Sequence, residues 1–317
     1  MLKIRRMDLL FIALGLVLLI VGGNWLLKSA IGFSLRLKIP KIVIGMTVVS
    51  FATSAPELIV SLKSAIQGHS DLALGNVIGS NIANLALVLG ITVLLSNIKV
   101  NKSFFTTDWP VMMFSSLFLY VFIAFDGMLV AYEGAILFGS LVVFLIYLLK
   151  FQKNAVLDEA LEDDKELPLY KAILYLAIGG VALWGGSELL ISGAVGLAER
   201  FNVSQRIIGV SIISIGTSIP ELSASIIAVM KKEKAISLGN LLGSNIFNVL
   251  AVLGLTSMVH PIEIVDRGLI DIDIYWMLGV SFLILPLSFF YNKKNFGKLE
   301  AVILLSVYAA FLYNMLA

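Results

Sequence analysis

Long apolar stretches follow one another along almost the whole chain, and they limit the fold more than any other feature. A transmembrane helix needs roughly 20 mainly apolar residues, and in lipid such a segment satisfies its own backbone hydrogen bonds only as a helix. Ten stretches meet this requirement. They cover residues 8–30, 41–66, 72–96, 108–125, 130–149, 170–197, 205–230, 235–258, 272–290 and 299–316. The sequence therefore predicts an all-α integral membrane protein with ten transmembrane helices.

The amino-acid composition agrees with this interpretation. Of the 317 residues, 59% are hydrophobic and 14% are charged, whereas soluble domains carry about 25% charged residues. The chain has too few charges to cover a water-facing surface, so we expect a lipid bilayer around it. The lack of cysteine and the presence of only two histidines exclude thiolate metal centres and the usual zinc or haem sites. A net charge of +2 gives no reason to expect nucleic acid as a partner, and we predict a monomer without a cofactor.

Basic residues predict the orientation of the chain. Cytoplasmic loops of membrane proteins carry an excess of lysine and arginine. When the ten spans alternate across the membrane, most of the 23 lysines and arginines lie on the side opposite both termini. We therefore predict a multi-pass plasma-membrane protein with both termini outside. Basic residues before the first span are typical of a signal peptide, but the apolar run is too long for one, so we expect this span to be retained.

Two segments of the chain match each other at a constant separation of 164 residues, without a gap. Residues 50–84 fall on residues 214–248, and within them Glu57 falls on Glu221. Matched leucines are expected in any two apolar helices, but a run of matched Ser, Thr, Asn, Pro and Glu is not. We therefore interpret these segments as corresponding motifs of two repeats.

Each predicted repeat contains five spans, so the two repeats must enter the membrane from opposite sides. This predicts two inverted-topology repeats, residues 1–150 and 169–317, joined by a cytoplasmic linker at residues 151–168. In transporters built this way, the substrate site lies near the bilayer midplane, where broken helices of the two repeats meet. We expect the acidic run at residues 158–166 to be a solvated loop, with a regulatory calcium contact as the alternative.

Polar residues in the matched segments lie on one face of each predicted helix. Ser50, Thr53, Ser54 and Glu57 follow the i, i+3, i+4, i+7 spacing of a helical stripe. The corresponding stripes in the other three helices are Asn76, Ser80 and Asn84; Ser214, Thr217, Ser218 and Glu221; and Asn240, Ser244 and Asn248. All four stripes offer oxygen atoms and neither sulfur nor imidazole.

A proline follows each stripe of hydroxyl groups and predicts a break in the helix. Pro56 lacks an N–H and its ring clashes with the carbonyl of Ala52, so the helix should open around residues 52–53. Pro220 predicts the same around residues 216–217. Backbone carbonyls without partners are tolerated within a membrane only beside protein, water or an ion.

Glu57 and Glu221 carry the strongest functional signal, because intramembrane carboxylates are functional by default. A buried glutamate costs at least ~3 kcal/mol in the membrane, and two that converge repel each other. Bound cations relieve both penalties. Calcium takes 6–8 oxygen ligands and sodium likewise favours hard oxygen, whereas magnesium gives up its water reluctantly. The stripes therefore predict a site for transported Ca2+ and Na+.

The matched segments resemble the alpha-repeats of the cation/calcium antiporter superfamily, and most of all those of its prokaryotic sodium/calcium exchangers. The motifs SFATSAPE at residues 50–57 and GNVIGSNIAN at 75–84 are similar to the first alpha-repeat. SIGTSIPE at 214–221 and GNLLGSNIFN at 239–248 are similar to the second. The resemblance spans the chain and implies an electrogenic antiporter, not an enzyme, that works by alternating access. In this family three sodium ions typically move against one calcium ion, and the first and sixth spans slide across the rest.

The resemblance also implies a role for each motif residue. A central calcium ion would be held by the carboxylates of Glu57 and Glu221 and by the backbone carbonyls of Thr53 and Thr217. The flanking sodium sites would use Ser54, Ser80 and Asn84 in one half and Ser218, Ser244 and Asn248 in the other. Ser50 and Ser214 would each donate a carbonyl oxygen.

Asn248 departs from part of the superfamily, because many prokaryotic and potassium-dependent members carry Asp at this position. Without that carboxylate, a potassium requirement is not expected. The proton/calcium branch lacks the Thr-Ser-x-Pro-Glu form, which makes proton coupling the second choice. An intramembrane hydrolase would need unlike surroundings for its two glutamates, whereas the two motifs are near copies. A passive channel stays open as an alternative, since channel filters also use oxygen ligands.

Overall fold

The computed structural model describes residues 6–151, 167–200, 214–290 and 294–316, and most of them are helical. The α-helices are α1 (Arg6–Leu37), α2 (Lys41–Ile44), α3 (Ser50–Thr53), α4 (Ala55–Ile66), α5 (Ser70–Ile82), α6 (Leu89–Leu95), α7 (Trp109–Asp126), α8 (Ala131–Phe151), α9 (Leu169–Arg200), α10 (Ser214–Gly216), α11 (Ile219–Met230), α12 (Lys234–Phe247), α13 (Gly254–Val259), α14 (Ile274–Phe290) and α15 (Lys298–Leu316). The described π-helical segments are π1 (Gly45–Val49), π2 (Ala83–Val88), π3 (Phe104–Asp108), π4 (Asn248–Leu253) and π5 (Leu269–Asp273). The short strands are β1 (Ile98–Lys99), β2 (Met128–Leu129), β3 (Ile262–Glu263) and β4 (Asn295–Phe296).

Eight helical segments of the described residues are long and apolar enough to cross a membrane. They are Met7–Leu37, Ser70–Leu95, Phe104–Asp126, Ala131–Lys150, Leu169–Leu197, Lys234–Val259, Leu269–Phe289 and Lys298–Met315. A ninth span is added if Lys41–Thr53 and Ala55–Ile66, which are bent by 45° against each other, form one broken span. These spans confirm the all-helical membrane fold.

Two parts of the predicted topology fall on residues outside the described ranges. The predicted seventh span, residues 205–230, is described only from Ser214 onward, where it contains the apolar helix α11. Most of the predicted linker, residues 151–168, also lies outside the described residues, together with its acidic run. The count of ten spans and the two repeat boundaries therefore stay predictions.

Two spans form the centre of the protein. In Ser70–Leu95 and Lys234–Val259, 78% and 83% of the most apolar 18-residue stretch is buried inside the protein. The buried share of the corresponding stretch is 22–39% in the other six spans. The outer spans expose large apolar side chains, as Phe125 of α7 and Tyr313 of α15 show with 88% and 76% exposure. Polar side chains on the two central spans therefore have to find partners within the protein or in what it binds.

Helices α1 and α9, which carry the predicted first and sixth spans, form one closely packed pair. A Cβ atom on Gly22 would lie 2.9 Å from the carbonyl oxygen of Gly179, and one on Gly186 would lie 3.0 Å from that of Gly15. Small residues allow two membrane helices to approach this closely. Gly22 and Gly186 are 164 residues apart, so the repeat in the sequence also appears in this contact.

Short strands pair the two halves of the chain with each other. β1 runs antiparallel to β4 with Ile98 opposite Phe296, and β2 runs antiparallel to β3 with Leu129 opposite Ile262. Ile98 and Ile262 are 164 residues apart, so corresponding strands pair with the opposite half. The π-helical segments π2 and π4 also begin at nearly equivalent positions. The match between the halves therefore extends from the sequence to local structure.

We predict that Gly179→Ala destabilises the protein. The new Cβ would lie 2.8 Å from the backbone nitrogen of Leu26 and 3.0 Å from the carbonyl oxygen of Gly22, and overpacking of this kind costs about 1–3 kcal/mol. Thermal unfolding in detergent should show a lower Tm.

Gly185→Ala on the same helix is the matched control, because nothing lies within 4 Å of its Cβ position. Its Tm should stay the same or rise, since alanine is the better helix former. Equal losses of Tm in the two variants would contradict the close packing of α1 against α9.

Candidate cation site

The helix that carries the first polar stripe is broken at Ser54. Helix α3 ends at Thr53, Ser54 has φ −87° and ψ 0°, and α4 begins at Ala55 with Pro56 in its first turn. Proline is tolerated there because the first N–H groups of a helix have no intrahelical partner. The predicted position of the break, residues 52–53, is wrong by one residue, because the proline starts the next helix instead of opening the preceding turn.

The second half repeats this break. Ser218 has φ −89° and ψ 4° and precedes α11, which has Pro220 in its first turn. The turn is formed by Thr217 and Ser218, so the predicted break at residues 216–217 is again one residue early. In both halves a glutamate directly follows the proline and lies in the first turn of a helix. The free N–H groups and the dipole at this end favour negative charge.

The two glutamates are fully buried and lie close to each other. Glu57 and Glu221 are both 0% exposed, and their carboxylates are near enough to repel each other. The hydroxyls of Thr53, Ser54 and Ser244 lie around the Glu221 carboxylate. Even so, none of the four carboxylate oxygens makes a hydrogen bond of ordinary geometry with a residue that the structure describes. Such a pair is stable only when cations or protons neutralise it.

Hydroxyl groups of the two motifs join the two halves of the chain. Thr53 Oγ1 lies 3.3 Å from Ser244 Oγ, and Thr217 Oγ1 lies 3.2 Å from Ser80 Oγ. Each contact links the broken helix of one half to the central span of the other. The two contacts are equivalent under the 164-residue separation. The structure therefore brings the predicted threonines and serines of both motifs together.

Further predicted residues contribute buried polar atoms without partners. The hydroxyls of Ser54 and Ser218, both amide atoms of Asn84 and the Oδ1 atom of Asn248 make no hydrogen bond within the described part of the chain. All four residues are at most 3% exposed. Buried polar atoms are normally hydrogen-bonded, so this cluster indicates that something other than the protein satisfies them.

Ser50 has a structural contact in addition to its predicted role. Its hydroxyl lies within hydrogen-bond distance of the carbonyl oxygens of Gly45 and Asn240, at 2.8 Å and 2.9 Å, and can donate its one proton to either. The contact with Asn240 holds α3 against the central helix α12. Ser214 lies in α10, and its side chain is outside what the structure describes. For both serines, the donation of a backbone carbonyl to an ion stays a prediction.

Asn240 contacts the site although the sequence interpretation did not count it among the ligands. Its Oδ1 atom accepts a hydrogen bond from Thr53 Oγ1 at 3.2 Å, and its Nδ2 atom donates to Ser225 Oγ at 3.2 Å. In the other half, Asn76 Nδ2 donates to Ser61 Oγ at 3.1 Å. The 164-residue match contains both asparagines and is the signal that identifies them. Asn240 orients the threonine whose carbonyl is a predicted ligand.

A second pair of asparagines, Asn81 and Asn245, lies between the two central spans. Each donates its amide N–H to the backbone carbonyl of the other, at 3.3 Å and 3.1 Å. Asn81 also accepts a hydrogen bond from Asn248 Nδ2 at 3.1 Å. Both lie within the matched segments, but the stripe spacing excluded them because each follows a stripe serine directly and points away from its stripe.

The cluster is built from oxygen atoms and contains two carboxylates. Among the residues that the structure describes, no three His, Cys, Asp or Glu side chains are placed so that they could hold a metal ion together. A bound cation would therefore meet Glu57, Glu221 and neutral hydroxyl, amide and carbonyl oxygens. Hard cations such as Ca2+ and Na+ prefer this set, and soft transition metals do not.

Comparison with known proteins finds relatives over the full length of the chain. A family model described as sodium/calcium exchanger protein matches residues 7–150 and 171–317. The putative antiporter CaxA of Alkalimonas amylolytica is 38% identical over 311 residues, which cover 96% of this chain and 97% of that protein. The sodium/calcium exchanger MaX1 of Methanosarcina acetivorans is 30% identical, and the match covers 96% of this chain and 97% of the relative.

Solved structures of the sodium-calcium exchanger NCX_Mj have the same fold. The structure soaked with zero Na+ and Ca2+ matches with a TM-score of 0.82 at 25% identity, over 97% of this chain and 98% of its own. The structure soaked with 2.5 mM Na+ and 1 mM Sr2+ matches with a TM-score of 0.82 at 26% identity, over 98% of each chain. The similarity therefore includes both halves and both polar motifs.

Proposed function

The chain belongs to the sodium/calcium exchanger protein family and is a membrane antiporter of the cation/calcium class; on this premise we propose that it exchanges Na+ for Ca2+ by alternating access. The observation that carries the proposal is the buried pair of Glu57 and Glu221. Their carboxylates repel each other and accept no hydrogen bond of ordinary geometry from the described residues. Na+ and Ca2+ that bind alternately between the two carboxylates neutralise the pair.

The proposed calcium site lies between the two glutamates and includes the backbone carbonyls of Thr53 and Thr217. The proposed sodium sites flank it and use Ser54, Ser80, Asn84, Ser218, Ser244 and Asn248, with carbonyl oxygens from Ser50 and Ser214. Calcium prefers 6–8 oxygen ligands, and the unpartnered hydroxyl and amide oxygens around the carboxylates support this assignment.

Exchange at this site is proposed to be electrogenic and independent of K+. Because Asn248 is neutral, the site has two negative charges, both from glutamates. One Ca2+ balances them, whereas three Na+ exceed them by one positive charge. A cycle that exchanges these loads moves net charge across the membrane. The lack of a third carboxylate leaves no additional charge for K+ to balance.

The proposed topology has ten spans in the plasma membrane, in two inverted repeats, with both termini outside and residues 151–168 in the cytoplasm. The reciprocal pairing of β1 with β4 and of β2 with β3 supports a two-fold relation between the halves. The close packing of α1 against α9 supports their movement as one unit across the site. We propose that a monomer is sufficient for transport.

Transport by purified protein in liposomes tests the coupling ion. An outward Na+ gradient should drive Ca2+ uptake, and K+ or H+ gradients imposed in its place should not. A membrane potential set with valinomycin should change the initial rate, because the cycle moves charge. Uptake without any opposing gradient would indicate a channel, and uptake driven by a proton gradient alone would assign the protein to proton exchange.

Glu57→Gln and Glu221→Gln should each abolish Na+-driven Ca2+ uptake, because each removes half of the charge that binds the ion. The fold should be retained, since the substitution also removes a charge repulsion. Glu188→Gln, which changes an exposed glutamate on α9, is the control and should transport normally. Native exchange rates in either site variant, with a normal Tm, would refute the site.

Asn248→Asp should make transport more sensitive to pH. The additional carboxylate binds protons in competition with ions, so uptake should fall more steeply than in the native protein as the pH is lowered from 8 to 6. Asn101→Asp, in an exposed loop position, supplies the control and should have the native profile. An unchanged profile in Asn248→Asp would show that residue 248 does not line the ion site.

A further inference from the structure

We propose that Asn81 is a positioning residue: it fixes the side-chain amide of Asn248 so that the Oδ1 atom of Asn248 is available to the ions. This contact is made in one repeat only. The inference rests on the proposed function, because it assigns Asn248 to the ion site. Asn81 itself is assigned no ion. It acts through the hydrogen bond between its Oδ1 atom and Asn248 Nδ2, 3.1 Å long.

The orientation of the Asn81 amide is determined by its other contact. Asn81 Nδ2 donates to the backbone carbonyl oxygen of Asn245 at 3.3 Å, and a carbonyl oxygen can only accept. The Oδ1 atom of Asn81 must therefore face the other way, toward Asn248. The reciprocal bond from Asn245 Nδ2 to the Asn81 carbonyl, at 3.1 Å, holds the two backbones together. Both side chains are 1% exposed, so water does not compete for these contacts.

The orientation of Asn248 follows from that of Asn81. Because Asn81 presents an acceptor, the amide N–H of Asn248 must point at it, and Asn248 Oδ1 points elsewhere. That oxygen is buried and has no hydrogen-bond partner within the described part of the chain. An ion ligand at position 248 is thus oriented before an ion arrives. Pre-orientation of this kind lowers the entropy cost of binding.

The equivalent contact is missing from the first repeat, as far as the structure describes it. Under the 164-residue separation, Asn84 corresponds to Asn248, and Asn245 corresponds to Asn81. Both amide atoms of Asn84 and the Oδ1 atom of Asn245 lack hydrogen-bond partners in the described residues. The Asn84 amide can therefore turn either end toward the site, whereas Asn248 cannot. The two asparagines of the site are chemically identical but differ in their orientation.

The same contact selects the residue type at position 248. An acceptor at Asn81 Oδ1 requires a donor opposite it, and an amide supplies one. An ionised carboxylate at position 248 would place two acceptors against each other in a buried site, which is costly. Asn81 therefore favours a neutral residue at position 248 and keeps the charge of the site at that of its two glutamates.

Asn81→Ala and Asn245→Ala form a matched pair that tests the proposal. Each removes one amide-to-backbone bond between the central spans, so both should lower the Tm, and Asn81→Ala should lower it more because it also removes the bond from Asn248. Only Asn81→Ala releases the Asn248 amide. One net hydrogen bond corresponds to about a fivefold change in affinity, so Asn81→Ala should raise the apparent KM and the Kd for Na+ about fivefold, with kcat less affected. Asn245→Ala should keep the native KM and Kd.

A double-mutant cycle with Asn248→Ala separates positioning from a general structural effect. Asn248→Ala should weaken Na+ binding, and addition of Asn81→Ala to it should cause no further loss. Equal KM values in Asn81→Ala and Asn245→Ala, or additive losses in the double variant, would overturn the proposal. Asn81→Leu, which is similar in size and lacks the amide, replaces Asn81→Ala if the latter does not fold.

The proposed function and this inference fail in different ways. If Asn248→Ala binds Na+ as the native protein does while Glu57→Gln does not bind Ca2+, residue 248 lies outside the sodium sites, and the role of Asn81 is refuted while the calcium site stands. If Glu57→Gln also binds Ca2+ normally, the site itself is refuted. Na+ binding and Ca2+ binding are measured separately on purified protein, so neither result depends on transport.

Discussion

Two carboxylates buried side by side, without a hydrogen bond of ordinary geometry from the described protein, are the constraint on which the rest of this structure depends. In a membrane interior such a pair is unstable unless positive charge lies between its members. The oxygen-lined surroundings of Glu57 and Glu221 offer that place to hard cations and to little else. An ion that neutralises the pair also completes the coordination of the neighbouring hydroxyl and amide groups. Binding and stability of the central spans are therefore linked.

The helix breaks place these carboxylates and favour their charge at the same time. A proline in the first helical turn costs no hydrogen bond there, and the glutamate that follows it lies in that turn, where the helix dipole favours a negative charge. Two such turns, one from each half, bring Glu57 and Glu221 together at the buried centre. A continuous helix would provide neither the free N–H groups nor the non-helical residue at Ser54.

The sequence was sufficient for the all-helical membrane fold and for several of the polar residues that the structure brings together, because both follow from composition and spacing. Apolar length predicts membrane helices, and the 164-residue match identified Glu57, Glu221 and the hydroxyl groups that the structure brings around them. Single-residue details could not be predicted in the same way. The breaks fall one residue later than expected, since a proline is compatible with two positions relative to a helix start.

Contacts between the halves were the least predictable part of the site. Asn81 lies off the stripe of Ser80 and Asn84, and it reaches Asn248 only because the two central spans pack face to face next to π2 and π4. A π-helical turn changes which side chains share a face, and a stripe drawn at α-helical spacing does not include that change. The match at constant separation shows that Asn81 is repeated, but it does not show which partner the residue meets.

Departures from the repeat give the two halves of the protein different contacts. A perfectly symmetric pair of inverted repeats would favour neither side of the membrane. Lys41 and Glu233 form an ion pair at 2.7 Å between the first turn of α2 and the residue that precedes α12, and both side chains are largely buried. The equivalent positions carry Gln205 and His69, which cannot reproduce a lysine–carboxylate pair. Under the proposed alternating access, this pair and the one-sided contact of Asn81 with Asn248 would stabilise one state relative to the other, because neither contact has an equivalent in the opposite half.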